Sequence, residues 1–262
     1  NSSSGNGDIT LANTTGNMLI GTVNAGTGTV TLTSTAGDIN DNADDATADI
    51  TGGTLNLTAN GSGKGIGIAN GSLDTDATTI NINAGTGGAN VHDVGSVTLG
   101  TPTVAAGGSL TVSADTVLTL PAANLSFGAG SLDFTSGNGA LNTAGTLTTS
   151  SGNITLTASN GMTINHDIST TTTGDITLNA DSNTDGTGAF INNATVSSGG
   201  DLTITHGSGS TLGTYSAGGT TTINATQAED VVISAEFIAA LNDDITYTAL
   251  GHITVQANQT TS

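Results

Sequence analysis

Apolar and polar residues alternate along this chain in short bursts, and glycine with a small polar residue usually stands ahead of each burst. Gly7-Asp8-Ile9-Thr10-Leu11-Ala12 is the first. Gly28-Thr29-Val30-Thr31-Leu32, Gly53-Thr54-Leu55-Asn56-Leu57, Gly108-Ser109-Leu110-Thr111-Val112, Gly130-Ser131-Leu132-Asp133-Phe134, Gly152-Asn153-Ile154-Thr155-Leu156, Gly174-Asp175-Ile176-Thr177-Leu178 and Gly200-Asp201-Leu202-Thr203-Ile204 follow. Thr79-Ile80-Asn81-Ile82 has the same alternation without the glycine. A period of two over about five residues predicts a strand with one buried face. Weaker strand-like pieces lie between the bursts: Met18-Leu19-Ile20, Val97-Thr98-Leu99, Val117-Leu118-Thr119-Leu120, Leu147-Thr148-Thr149, Met162-Thr163-Ile164 and Ala194-Thr195-Val196.

The bursts are spaced regularly. Their first apolar residues are Ile9, Val30, Leu55, Ile80, Leu110, Leu132, Ile154, Ile176 and Leu202, with steps of 21, 25, 25, 30, 22, 22, 22 and 26 residues. A period in this range is the signature of a solenoid, in which one coil cannot bury its apolar face alone and stacked coils share a narrow core. Two or three strands per period predict an all-β fold, a parallel β-helix of about 11–12 coils and roughly 55 Å in length at the ordinary strand spacing. Glycine ahead of each strand is expected to supply the positive φ of a tight corner. Residues 1–262 read as one β-helix domain. The step of 30 marks a possible insertion at 85–106. Residues 227–241 are irregular, and within 228–241 the stretch from Ala235 to Leu241 is expected to form a short helical interruption.

At this point the repeats resemble a known group. Gly-Asp-Ile-Thr-Leu-Asn-Ala (174–180), Gly-Asn-Ile-Thr-Leu-Thr-Ala (152–158) and Gly-Asp-Leu-Thr-Ile (200–204) look like the repeats of filamentous-haemagglutinin-like exoproteins, large secreted adhesins often exported by two-partner secretion. Ile233 to Leu241, followed by Asp244-Ile-Thr and Gly251-His-Ile-Thr-Val, is similar to the helical interruption such proteins carry. The resemblance implies an extracellular shaft and a right-handed β-helix. The amino-terminal secretion domain of that family is not found among these residues.

Composition narrows the chemistry. The chain has 262 residues, one Lys and no Arg, 21 acidic residues, a formal net charge of −20, no Cys and 2% aromatics. Lys64 alone cannot build a nucleic-acid track or a basic membrane patch. Without cysteine there is neither a disulfide framework nor a thiolate metal site. No apolar run is long enough to span a bilayer, and no signal peptide opens the chain at Asn1. The low apolar content, 34%, suffices for a core one coil wide.

Each residue type that could carry chemistry also has a plainer role. Asp38, Asp41, Asp44, Asp45 and Asp49 crowd one segment, and clustered carboxylates suit a hard cation such as Ca²⁺; the plainer reading is a solvated acidic turn. Asp74 with Asp76, and Asp181 with Asp185, are smaller groups of the same kind. No EF-hand loop or calcium-binding nonapeptide repeat is present. Asn183-Thr184-Asp185, His206-Gly207 and Asn242-Asp243-Asp244 match polygalacturonase motifs by letter, but in the wrong order and without the basic residue. His92, His166, His206 and His252 have no ligand spacing, and Gly63 to Gly67 read as a corner rather than a phosphate loop. No cap is evident at either end, which fits a slice of a longer shaft or a unit that stacks end to end. The expectation is therefore a non-catalytic structural or adhesive shaft at the cell surface. It needs no cofactor beyond possible Ca²⁺, and its partners are flanking chain, other copies, or surface glycans or proteins. A self-assembling filament or sheath subunit is the alternative, and a carbohydrate-active β-helix enzyme the minor one.

Overall fold

A computed structural model describes residues 6–43, 45, 47–227, 231–233, 237–239, 244–256 and 259–261. Every strand pairing among them is parallel, and the chain winds into a β-solenoid of about 10 turns. The loops at 67–72 and 181–189 consume residues that an even spacing would have assigned to further coils.

In the regular part each turn contributes three strands, as in Ile154–Ala158, Met162–Ile164 and Ile168–Thr170. The 22-residue step is the ladder itself: Leu110 pairs with Leu132, Leu132 with Ile154 and Ile154 with Ile176, and the step of 26 then sets Ile176 on Leu202. Alternation turns every second side chain inward. Leu132, Phe134, Ile154, Leu156, Ile176, Leu178, Leu202 and Ile204 are fully buried, each contributing about 1.5–3 kcal/mol through its burial. The outward positions between them stack as Thr155, Thr177, Thr203, Thr222 and Thr246.

Pairing corrects the single register inferred from spacing. Ile9, Val30, Leu55 and Ile80 do form one column, but it continues to Leu99. Leu110 stands instead on Ala89, above Ile66, Ile39 and Met18. The repeat thus moves to another face between Ile80 and Leu110. Within 85–106, Gly88–Asp93, Val97–Leu99 and Thr103–Val104 are strands of the stack.

The expected helix is also corrected. Within 228–241, Val231–Ile233 and Phe237–Ala239 are strands, paired with Ile253–Val255 and with Tyr215-Ser216. The remaining residues of that segment lie outside the described ones. β-Branched and aromatic residues with a ladder on offer favour strand over a helix too short to nucleate.

Glycine before the strand has a different job from the one expected. Gly108, Gly130, Gly152 and Gly174 are not among the positive-φ residues. They lie where successive turns touch: a Cβ on Gly130 would stand 1.9 Å from the Gly108 carbonyl oxygen, one on Gly152 2.1 Å from that of Gly130, and one on Gly174 2.3 Å from that of Gly152. The residue after each glycine carries an acceptor for the turn above. Ser109 Oγ accepts the Ser131 N–H (3.0 Å), Ser131 Oγ that of Asn153 (3.0 Å), Asn153 Oδ1 that of Asp175 (2.9 Å), Asp175 Oδ1 that of Asp201 (2.9 Å) and Asp201 Oδ1 that of Thr220 (2.8 Å). Asn153→Val removes one acceptor at an exposed position, with an expected cost of about 0.5–1 kcal/mol. Asn153→Asp should restore it, and urea midpoints of the two variants compare them directly.

Candidate functional site

The most charged covered region lies at one corner of turns two to five. Turn one crosses this corner with only Gly21 and Thr22 between Ile20 and Val23. In turn two Asp41 pairs over Ile20 and Ile50 over Val23, so a longer stretch of chain joins the same two positions. Asp41 and Asp49 stand at the two ends of that stretch. Turn three makes a second excursion at 67–72, where Asn70 adopts φ 60° between Gly67 at φ 60° and Gly71 at φ 86°. Its Asn70 side chain donates to the Asp41 carbonyl oxygen (3.2 Å). Turn four passes straight through as Gly88–Asp93.

The corner collects carboxylates. The Asp49 N–H donates to the Asp74 carbonyl oxygen (2.9 Å) on the turn above, and Asp74 pairs with His92 on the next. Asp41, Asp49 and Asp74 are 1%, 7% and 3% exposed. Asp41 Oδ1 accepts the Ala43 N–H (2.9 Å). Asp74 Oδ1 faces the Ser72 hydroxyl (3.0 Å) and His92 Nδ1 (3.2 Å), while His92 Nε2 faces Asp115 Oδ1 (3.0 Å). Asp49 Oδ2 is buried without a hydrogen-bond partner. Burial first, then the neighbouring Asp41 and Asp74 carboxylates, push the Asp49 carboxyl up to about 7. Burial by itself lowers the His92 pKa, but Asp115 and Asp74 outweigh it and the net shift is upward. Protonated His92 donates one N–H to each carboxylate. Asp93, fully buried beside this column, is raised by burial. Its oxygens are satisfied by the Thr75 hydroxyl (2.9 Å) and the N–H groups of Ala77 (2.9 Å) and Gly95 (3.0 Å).

The five acidic residues read as one group in the sequence separate. Asp41 and Asp49 enter the corner. Asp38 lies apart, half-buried, accepting the Gly65 N–H (3.0 Å) and pairing with Lys64 at 3.8 Å. Asp45 is exposed and holds the N–H (2.9 Å) and hydroxyl of Thr47, which lower its pKa. Asp44 lies outside the described residues. Of the second group, Asp74 joins the corner and Asp76 is exposed. Asp181 and Asp185 belong to another loop. Asp181 takes the Gly186 N–H (3.0 Å) and the Thr226 hydroxyl. Asp185 holds Thr187 by its N–H (2.8 Å) and hydroxyl (2.7 Å).

Spacing alone missed His92 and Asp115 as members. The 25-residue step that carries Leu55 to Ile80 also carries Asp49 to Asp74, but the steps of 18 and 23 residues that add His92 and Asp115 show only in the structure. Among the described residues, no three His, Asp or Glu groups converge as a ready-made metal shell.

The other residues with candidate chemistry serve the fold. His206 is 4% exposed, with Nδ1 bonded to the Gly207 carbonyl oxygen (2.8 Å), and burial lowers its pKa. His166 and His252 are exposed. Asn242 and Asp243 lie outside the described residues. Two shallow grooves flank the acidic corner, one lined by Ile68, Asn70, Ala89, Asn90 and Ser109, the other by Thr27, Thr51, Asp76, Thr78 and Ser96. No family model matches this chain, and no curated protein or solved structure matches it either.

Proposed function

We propose that this chain is a non-catalytic, extracellular structural or adhesive shaft of the filamentous-haemagglutinin-like kind, presenting or spacing binding surfaces. The observation that carries this reading is the unbroken parallel ladder, which runs from Ile9 to Thr261 through the described strands with one narrow apolar core. Of the residues that match hydrolase motifs by letter, Asn183 and Asp185 bond each other within one turn and His206 is buried against the Gly207 carbonyl oxygen. Outward Thr, Asn and Ser columns favour recognition of surface glycans or proteins through hydrogen bonds, since a net charge of −20 repels polyanions.

A second reading, a subunit that stacks end to end, is favoured by exposed apolar side chains on the outermost described turns. Leu11 and Leu19 are 41% and 56% exposed at one end, and Leu250, Ile253 and Val255 are 73%, 41% and 52% exposed at the other. Either flanking chain or another copy would cover them.

Electron microscopy of the purified chain separates the two. The shaft reading expects single rods about 50 Å long, from the strand spacing; fibres of uniform repeat would support the subunit. Release of reducing ends from polysaccharides would overturn both in favour of an enzyme.

A further inference from the structure

We infer that the chain carries a site of self-modification at Asn60-Gly61, where the Asn60 side-chain amide is lost as ammonia and its carbon bonds the Gly61 nitrogen. The sequence offers five Asn-Gly pairs, at 6–7, 60–61, 70–71, 138–139 and 160–161. Each meets the elementary requirement, an amide carbon beside a main-chain nitrogen whose own residue has no Cβ to bar the approach. What separates the five is how the solenoid holds each asparagine.

Four of the side chains are tied to a neighbouring turn. Asn70 Nδ2 donates to the Asp41 carbonyl oxygen (3.2 Å), Asn138 Nδ2 to that of Asp115 (3.1 Å) and Asn160 Nδ2 to that of Asn138 (2.8 Å). Asn6 Oδ1 accepts the Thr27 N–H (3.3 Å). Each of these must give up its bond before it can cyclise. Gly139 and Gly161 are buried besides, and the Gly161 N–H donates to the Ala180 carbonyl oxygen (2.9 Å).

Asn60 is the exception. It follows the strand Ile50–Ala59 and is exposed. Among the described residues its side chain bonds nothing, and the Gly61 N–H has no acceptor. Gly61 opens a tight turn, in which the Lys64 N–H donates to the Gly61 carbonyl oxygen (3.0 Å) and Gly63 stands at φ 72°. Electrophilic carbon, free nitrogen and solvent meet at this one corner.

The Gly61 nitrogen gives its proton to solvent and bonds Asn60 Cγ; the Cγ–Nδ2 bond breaks, and ammonia leaves with a proton taken from solvent. Water then opens the succinimide ring at either carbonyl, and no oxidant takes part. One opening leaves aspartate. The other leaves isoaspartate, whose main chain runs through the former side-chain carbon and is longer by a methylene. This corner has little room for it: a Cβ on Gly85 would stand 2.0 Å from the Gly61 carbonyl oxygen, and the Gly85 N–H bonds the Ala59 carbonyl oxygen (2.9 Å). Modification therefore loosens this turn from the next.

Incubation of the full chain at pH 8, followed by mass mapping of its peptic peptides, tests this. The expected result is a gain of one dalton at Asn60 about tenfold faster than at Asn138 or Asn160 in the folded chain, with similar rates at all five pairs in urea. The aged chain should accept isoaspartate-specific methylation and unfold at a lower urea concentration. Asn60→Gln, whose longer side chain closes a larger ring, should abolish the change at this position and leave the fold intact. Folded rates at Asn138 or Asn160 equal to that at Asn60 would overturn the inference. So would an Asn60 that reacts only in the unfolded chain, or the same tenfold preference in urea, which would assign the difference to local sequence alone.

Discussion

Gly152→Ala is expected to destabilise the solenoid by about 3 kcal/mol or more, an overpacking cost that the backbone cannot relieve locally. The added Cβ would lie 2.1 Å from the Gly130 carbonyl oxygen, 2.4 Å from its carbon and 2.8 Å from the Ala129 oxygen. All three are main-chain atoms held by ladders on both sides, so no side chain can swing away. Gly63→Ala is the control. Gly63 sits at φ +72° with nothing near its Cβ position, and the change should cost about 1 kcal/mol through conformation alone. Urea unfolding of both variants decides the matter. Equal losses would mean that glycine serves conformation throughout and that close stacking of turns is not what selects it.

The chain is expected to lose stability as pH rises from about 4 to 8. The sign follows from where the proton binds. A carboxyl whose folded pKa lies above its unfolded value holds its proton better in the folded state. Its stabilising effect is therefore present at low pH and lost as pH climbs to the folded value. For Asp49 that window runs from 3.8 to about 7, worth at most about 4 kcal/mol at roughly 1.4 kcal/mol for each pH unit. Asp93, raised by burial, acts in the same direction. His92 does too: its raised pKa gives stability that is complete below the unfolded value of 6.5 and lost above the folded one. Urea midpoints in EDTA across this range should fall steadily in the wild type and much less in Asp49→Asn. A flat wild-type profile would show that burial and the neighbouring carboxylates do not raise the Asp49 carboxyl.

Much of this architecture is legible in the pattern of residues. Alternation located Ile154–Ala158, Met162–Ile164 and Leu147–Thr149, and the step of 22 gave the register of Leu132, Ile154 and Ile176, because side-chain period and turn length are both local properties. The passage of the repeat to another face after Ile80 was not legible, since only pairing shows that Leu110 stands on Ala89. Nor was the role of the glycines, which depends on what the neighbouring turn presses against them. The acidic corner lay between these cases. Asp41 and Asp49 stood out by crowding, yet Asp38 and Asp45, equally crowded, turn elsewhere. Asp74 becomes a neighbour of Asp49 only once the 25-residue step is applied to polar residues as well, and His92 joins Asp74 through a shorter step that only the pairing shows.

The ladder bonds described above run along the solenoid axis, so a load applied between the ends acts on them directly. A sandwich sheared along its strands resists with many bonds at once. This rod peels, each turn parting from the next through the few bonds of its own three strands. A released turn of about 22 residues, at about 3.4 Å per residue, adds roughly 70 Å of length in place of a rise of about 4.8 Å. A column tethered at both ends would therefore yield in steps, lengthening more than tenfold per turn while the remaining turns stay wound. Single-molecule stretching should show this as a sawtooth of evenly spaced, modest peaks, the behaviour of a tether that absorbs a sudden pull without letting go.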